Sequence, residues 1–397
     1  MPKTLLVGID GGATKVSGWT TEVKEDKTFM LGNINVVKEY REYDEFMPSF
    51  KPVNIQLQLG EMNEGEIDLT VEERLHGKAY MYAAADLIIE LVKTVGADRV
   101  LVGIGMPGLK SENKRGIIAL ANGPRMPEYC EIIEKRVEAS GITMDKPIHH
   151  LGSDADYCGI GEEYSQNGLF QGVTNSYYLG GGTGVADAMK LNGKLLPFDQ
   201  AKTWIAKAWE MKNSEGKSME RFASSNGIQT IYSEFANLPV IKLNKEGIYP
   251  PQIIALYDED SAAKRTFNDV SYNIAKLLFE RIVTIYSGWN HPFDFVNSNR
   301  ADLDNKHPYL GTLLDSIIIG QRLGDLLESS KEKNIFYEPF LEFLSKFIND
   351  SPYLDVKFKK HYMKDEMFNE DIIKTSKLRE APAIGAGVDA YLTYHKD

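Results

Sequence analysis

Near the N-terminus the chain reads Leu5-Leu6-Val7-Gly8-Ile9-Asp10-Gly11-Gly12-Ala13-Thr14-Lys15, and the fold class follows from these residues. The run from Leu5 to Ile9 is short, apolar and followed by a glycine turn, which suits a strand. Asp10-Gly11-Gly12 is a turn signal, because glycine accepts positive φ without steric cost. Lys15 to Thr20 then reads as a second extended stretch, so the whole predicts a hairpin. The theme recurs about 170 residues later. Val173 to Leu179 is a strand, Gly180-Gly181-Gly182-Thr183-Gly184 a glycine-rich turn, and Val185 opens the next strand. Strand, glycine turn, strand, occurring twice, points to two related halves.

Residues 30–69 are mixed, with β-like pieces such as Asn54-Ile55-Gln56-Leu57-Gln58-Leu59. Thr70 and Glu73 form a capping-box pattern for a helix with Leu75, Ala79, Tyr82 and Ala83 on one face and Gly96 past its end. Arg99 to Ile104 is a buried strand ending in Gly105-Met106-Pro107-Gly108. A helix near Glu128–Ser140, stopped by Gly141, leads to a strand at Pro147–Leu151. In the second half a long helix follows Ser261, lined by Phe267, Val270, Ile274, Leu277, Leu278 and Ile285 and closed by Gly288. Asn290 to Tyr309, rich in Asn, Asp and Pro, reads as a surface insertion. Asp315 to Gly320 is a strand running into a helix around Asp325-Leu326-Leu327, and a small-residue helix spans Ala381–Tyr391. Strands alternating with helices give an α/β class. At 397 residues the chain exceeds one ordinary core and suits two domains with a cleft between them. We place them at 1–150 and 151–380, with the C-terminal helix, about 381–397, completing the first.

Composition narrows the functions. Hydrophobic residues at 43% and charged residues at 26% are ordinary for a globular chain. The net charge of -12 repels phosphate backbones and anionic membranes, which argues against nucleic-acid and membrane partners. Cys130 and Cys158 are the only cysteines, too few for a disulfide framework or a cysteine-rich zinc site. With no signal-peptide pattern and no apolar run long enough to span a bilayer, the cytoplasm is the expected compartment. None of the seven histidines has metal-ligand spacing, and His149-His150 would diverge on a strand. The charged run Glu131 to Glu138 reads as a solvated helix face.

Against this background the two glycine turns carry chemistry. Backbone N–H groups in a tight glycine turn approach phosphate oxygens without Cβ interference. Thr14 adds a hydroxyl donor and Lys15 a point charge, while Asp10 at the strand end can hold Mg²⁺. Alone, Asp10 to Lys15 reads equally as a plain hairpin turn. With Gly180 to Gly184 as a second cradle, the two suggest a clamp on one polyphosphate such as ATP. Asp154, in Gly152-Ser153-Asp154-Ala155-Asp156, can accept the proton of an attacking hydroxyl. Equally, Ser153 or Asp154 can be the N-cap of the helix that follows.

With these residues in place the sequence resembles the ROK family (repressors, open reading frames and sugar kinases) of the actin/hexokinase/Hsp70 ATPase superfamily. Gly8 to Lys15 is similar to the family's first phosphate motif, and Gly103-Ile104-Gly105-Met106-Pro107-Gly108 to its glycine-proline turn. Asn122-Gly123-Pro124 resembles the sugar-contacting Asn-x-Pro segment. Ser153-Asp154-Ala155-Asp156 with Gly161-Glu162 resembles the block whose Asp is the catalytic base. Gly180 to Gly184, with Gly181, Gly182, Thr183 and Gly184 as contacts, falls where the second phosphate motif belongs. Ile318-Ile319-Gly320, with Gln321, and Ala383-Ile384-Gly385-Ala386 look like the two adenosine-side elements.

The resemblance implies two ribonuclease-H-like (actin-like ATPase) domains flanking a nucleotide-binding cleft. It implies ATP and Mg²⁺ as cofactors, a sugar substrate and the homodimer common in the family. The phosphate and adenosine contacts are Asp10, Gly11, Gly12, Thr14, Lys15, Gly181, Gly182, Thr183, Gly184, Gly320, Gln321 and Gly385. Gly105, Asn122, Ser153, Asp154, Asp199 and Glu220 fall on the sugar side. Three departures stand out. The zinc segment is replaced by Glu215-Gly216-Lys217-Ser218-Met219-Glu220, so no zinc is expected; Glu220 is either the sugar-binding carboxylate of that segment or an ordinary exposed helix Glu. Asp199 and Lys202 have the spacing of the family's Glu-x-x-His without its chemistry, and Ser153 stands where the family has Asn. The expected reaction is in-line phosphoryl transfer from ATP to a sugar hydroxyl, with domain closure excluding water. A sugar sensor without kinase activity and an ATPase with a non-sugar acceptor are the alternatives.

Overall fold

The computed structural model describes residues 4–352 and 354–395. It divides into two units, the first running to Gly168 and resuming at Glu380, the second spanning Leu169–Arg379.

In the first unit β1 (Thr4–Gly11), β2 (Lys15–Val23) and β3 (Phe29–Glu39) form an antiparallel meander. β4 (Arg99–Gly105) joins the other side of β1 in parallel. β5 (Thr143–Met144) and β6 (Leu151–Gly152) both run parallel to β4. The sheet order is β3-β2-β1-β4-β5, with β6 also on β4.

Side chains alternate across β1, so Leu5, Val7 and Ile9 enter one core. That core also holds the buried residues of α2 (Val71–Val95) and α3 (Tyr129–Ala139), numbered after α1 (Ile55–Glu64). The opposite face of β1 and β4 is bare at Gly8 and Gly103, which pair in register. A Cβ at Gly8 would lie 1.9 Å from the Ala383 oxygen, and one at Gly103 would lie 1.8 Å from the Ala386 oxygen. The C-terminal helix Ala381–Tyr394 therefore rests on the strands at backbone contact. It also crosses α4 (Asp154–Tyr164), where a Cβ on Gly161 would lie 2.4 Å from the Ala381 oxygen. That packing keeps α4 in the first unit, so the unit extends to Gly168 rather than stopping at residue 150.

Three sequence expectations change here. The segment expected to be β-like at 54–59 is helical: Asn54 caps α1 by accepting the Gln56 N–H, and Gly65 closes it in the left-handed region. Caps at both ends outweighed the period-two pattern of Ile55, Leu57 and Leu59. On α2, Leu75 is 40% exposed, and the buried face instead runs through His76, Tyr80, Ala83 and Leu87. The strand expected at Pro147–Leu151 shrinks to β6, because side chains take its backbone groups. Ile148 donates its N–H to Glu134 Oε1 at 2.7 Å and accepts from the Arg115 guanidinium. Off the sheet, His149 and His150 do not diverge; their Nδ1 atoms lie 2.8 Å apart.

The second unit repeats the plan. β7 (Ser176–Gly181), β8 (Val185–Leu191) and β9 (Lys194–Leu195) are an antiparallel meander. β10 (Ser316–Gly320) joins β7 in parallel, and β11 (Ile373–Thr375) joins β10 in parallel. The order β9-β8-β7-β10-β11, with the same strand directions, matches the first sheet strand for strand. Each unit is thus of the ribonuclease-H-like α/β type.

Its helices are α5 (Glu220–Ala223), α6 (Ser225–Ala236), α7 (Ser261–Ser287), α8 (Gln321–Ser330) and α9 (Tyr337–Asp350) among shorter ones. All six residues expected to line α7 are buried. A fully buried Arg281 on α7 pairs with Glu280 at 2.7 Å and with Asp187 of β8 at 3.2 Å, tying helix to sheet. The segment 290–309 is more than a surface loop. Phe293 and Leu303 are buried, Asp294–Phe295 pairs with Met211–Lys212, and His307 stacks on Trp204 with centroids 4.1 Å apart. Among the described residues no helix is long and apolar enough to cross a membrane.

Candidate functional site

Parallel strands deliver their C-terminal ends to one edge, and in open α/β sheets that edge is where ligands bind. In the first unit Asp10 on β1 pairs with Gly105 on β4, and Gly105 pairs with Gly152 on β6. Gly152 is followed by Ser153 and Asp154, so Asp10, Gly105, Ser153 and Asp154 converge at that edge.

The loop from Gly11 to Lys15 is held by its carbonyls. Gly12 oxygen accepts from the Tyr40 hydroxyl at 3.0 Å and Ala13 oxygen from the Tyr80 hydroxyl at 2.9 Å. Thr14 oxygen accepts the Tyr40 N–H at 3.1 Å, and Lys15 oxygen the Gly12 N–H at 3.0 Å. The two tyrosine rings stack with centroids 3.7 Å apart. Oxygens that would repel a phosphate are thereby committed to protein donors, and the Thr14 and Lys15 side chains are exposed. A Cβ on Gly11 would lie 1.9 Å from Met106 Sδ, so any larger residue there must displace that thioether. At Gly12 a Cβ would meet only the Lys15 oxygen at 3.4 Å; the fold does not require glycine there, whereas close approach of a phosphate does.

Ser153 and Asp154 divide the start of α4 between them. Ser153 is the N-cap, its Oγ accepting the Asp156 N–H at 3.1 Å. Asp154 is the first helical residue, exposed, with Oδ1 accepting the Ala155 N–H at 3.0 Å. The two alternatives for Asp154 thus separate: capping falls to its neighbour, and its carboxylate stands at the sheet edge.

Asp10 feels that neighbour. Burial of its carboxyl, then the negative charge of Asp154, raise its pKa from 3.8 to about 6, against a smaller lowering by Lys15. A raised acid stabilises the fold where it is protonated, and that contribution is lost as pH rises through about 6. At pH 8 without a cation the ionised form therefore costs about 3 kcal/mol, at roughly 1.4 kcal/mol per unit. Asp10→Asn is expected to raise the denaturation midpoint at pH 8 in chelator and to change it little at pH 4. Equal effects at both values in urea titrations would contradict this.

Asn122 is exposed in the turn after Leu120. Gln58 of α1 brackets that turn, its Oε1 accepting the Leu120 N–H at 2.7 Å and its Nε2 donating to the Leu120 oxygen at 3.1 Å. Arg125 anchors the turn from the other side. It donates from Nε and Nη2 to Glu73 at 2.8 Å each and also pairs with Glu61. No pattern in the sequence linked these residues, because the partners are more than fifty positions apart.

In the second unit the loop Gly182–Gly184 closes with Gly182 N–H donating to the Gly184 oxygen at 2.9 Å. The Gly182 oxygen accepts the Ser225 N–H, at the start of α6, at 3.0 Å. Gly181 is buried and packs on the Ala223 oxygen, while Thr183 and Gly184 are exposed. Gly320, at the end of β10, packs on the Tyr178 ring. Gln321 opens α8 in the left-handed region at φ 58°, bridges to Gly181 and sets its Oε1 beside Gly182. A non-glycine residue held there carries backbone strain, which clusters at ligand sites; only the tertiary structure reveals it.

Three expected contacts sit differently. Gly385 lies where the C-terminal helix crosses α4, and a Cβ there would be 2.0 Å from the Tyr157 oxygen. Gly385 therefore lets the C-terminal helix and α4 of the first unit meet at backbone contact. Asp199 is an exposed carboxylate paired with Lys207 at 3.2 Å. Glu220 turns to the glycine loop, its Oε1 accepting the Val185 N–H at 3.1 Å. Among the described residues no group of three or more His, Cys, Asp or Glu side chains is placed to hold a metal ion.

Comparison with known proteins places this architecture. The chain matches no protein-family profile and no curated protein sequence. Solved structures do match, over nearly the whole chain. A ROK family glucokinase from Streptomyces griseus, in complex with glucose and AMPPNP, superposes with a TM-score of 0.56 at 13% identity, covering 96% of this chain and 98% of that one. A ROK hexokinase from Thermus thermophilus gives 0.53 at 15% identity over 98% and 99%.

The fold is that of the ROK family sugar kinases.

The ROK fold also carries regulators. A ROK family transcriptional regulator, homolog of an E. coli protein, superposes at 0.50 and 14% identity, covering 97% of this chain and 78% of that one.

Proposed function

We propose that the protein transfers the γ-phosphoryl group of ATP to a sugar hydroxyl, with Asp154 as general base. The observation that carries this is the meeting of Asp154 and Asp10 at one sheet edge beside the Gly11–Lys15 loop, with Ser153 relieving Asp154 of capping. The ROK sugar kinases of the same fold, one of them bound to glucose and AMPPNP, support the substrate classes.

Asp154 accepts the proton of the acceptor hydroxyl as that oxygen bonds to the γ-phosphorus. The bond from the γ-phosphorus to the bridging oxygen breaks, and ADP leaves with its electron pair. Thr14 and Lys15 offer a hydroxyl and a positive charge to phosphate oxygens, and Gly12 leaves room for them to approach. Gly182, Thr183 and Gly184 form the second phosphate contact, with Gly320 and Gln321 on the adenosine side. Asn122, Ser153 and Gly105 of the first unit orient the sugar.

The residues fit a divalent cation: Asp10 and Asp154 stand at one sheet edge, and burial, then the charge of Asp154, makes the Asp10 carboxylate costly to ionise alone. Asp10 would hold Mg²⁺, which supplies charge neutralisation for the polyphosphate. The test is an ADP-release screen across hexoses, amino sugars and polyols. Acceptor-dependent ADP release with at least one sugar is the expected result. Sugar binding with no ADP release would replace the kinase by a sensor, the reading the matching ROK regulator favours. ADP release indifferent to every sugar would move the acceptor outside the class.

A further inference from the structure

An anion already rests against the second glycine loop. Glu220 Oε1 accepts the Val185 N–H at 3.1 Å, and the same oxygen lies 2.8 Å from where a Cβ on Gly184 would stand. It therefore occupies the bare face that the glycine opens, the face a phosphate oxygen uses in such a loop. The placement is built in. Glu220 begins α5, Ala223 of the same helix backs Gly181, and Ser225 at the start of α6 donates to the Gly182 oxygen. Loop and carboxylate are parts of one small assembly. A carboxylate and a phosphate cannot share one N–H without strong repulsion between like charges.

We propose that the Glu220 carboxylate is the resident occupant of the second loop's anion site and gives way when a phosphate group of the nucleotide arrives. Glu220 is then a positioning residue that shapes the loop before binding and competes with the incoming phosphate. This rests on the phosphate-binding reading of that loop, and it reverses the sign expected of a sugar-binding carboxylate.

Calorimetric titration of the full chain with ADP, and separately with tripolyphosphate, tests it on the wild type and on Glu220→Gln. Glutamine keeps an oxygen that accepts the Val185 N–H and loses the charge, so the loop stays supported. Both ligands are expected to bind the variant about three- to tenfold more tightly, the scale of removing one like charge near the surface. Glu220→Ala, measured beside it, is expected to shift affinity in the same direction. Unchanged or weaker binding by both variants, in a wild type that binds ADP, overturns the proposal and leaves the kinase reading standing. A raised sugar KM with unchanged ADP affinity also overturns it, by assigning Glu220 to the sugar. A wild type that binds neither ADP nor tripolyphosphate overturns this inference and the phosphate-binding reading together.

Discussion

Asp154→Asn is expected to lower turnover by at least 10²–10⁴-fold, the range a positioned general base contributes, while ADP still binds. Asparagine keeps the shape and an oxygen for the Ala155 N–H but takes up no proton. Stability should hardly change, because the cap is Ser153 and Asp154 is exposed. The loss of a favourable charge at a helix start costs about 0.3–1 kcal/mol. The substitution also removes the second of the two causes that raise Asp10, so the Asp10 titration should move below about 6. Turnover near the wild-type rate, measured by coupled ADP release on an active sugar, would remove Asp154 from the chemistry.

Glu73→Ala is expected to cost about 3–5 kcal/mol of unfolding free energy, the penalty for stripping one partner from a buried ion pair. Glu73 and Arg125 are both buried. The carboxylate receives Nε and Nη2 at 2.8 Å and the Arg125 backbone N–H at 3.0 Å. Glu61 remains to Arg125 in the variant, but it is nearer solvent and cannot replace three bonds. Because Arg125 anchors the turn that carries Asn122, the sugar KM should rise as well, with kcat less affected. Denaturant titration decides the first part; a loss below about 1 kcal/mol, the size of a surface pair, would show that the pair is not worth its burial.

Glu73 also shows how the sequence misleads in detail while being right in outline. Thr70 and Glu73 have the spacing of a capping box, and half of it forms: Thr70 Oγ1 accepts the Glu73 N–H at 3.0 Å. The carboxylate goes instead to Arg125, a partner fifty-two residues away that offers a full charge where the backbone offers a dipole. The helix start was legible because it is local. The destination of the side chain was not.

The same division runs through the candidate site. Asp10 to Lys15 and Gly180 to Gly184 were legible as glycine turns after buried strands, since turn chemistry is written in adjacent residues. Their carbonyl anchors, Tyr40 and Tyr80, come from distant positions and left no local signal; Glu220 and Gln321 were named through the resemblance, but that both rest on the second loop was not legible. Gly385 was named through the resemblance, and the structure adds a packing role that no local pattern showed: the crossing with α4 uses its missing Cβ for backbone contact.

The elements were readable from residue order: two strand–glycine–strand units, most of the helices, and a carboxylate poised after the last strand of the first unit. Apolar runs, glycine turns and caps act over a few residues, so they can be read without the fold. The task of each polar side chain emerged with the folded chain. Ser153 caps so that Asp154 need not, Asp154 presses on Asp10, and Glu220 turns to a glycine loop. These are interactions through space, and their energies depend on burial and distance that the order of residues does not contain.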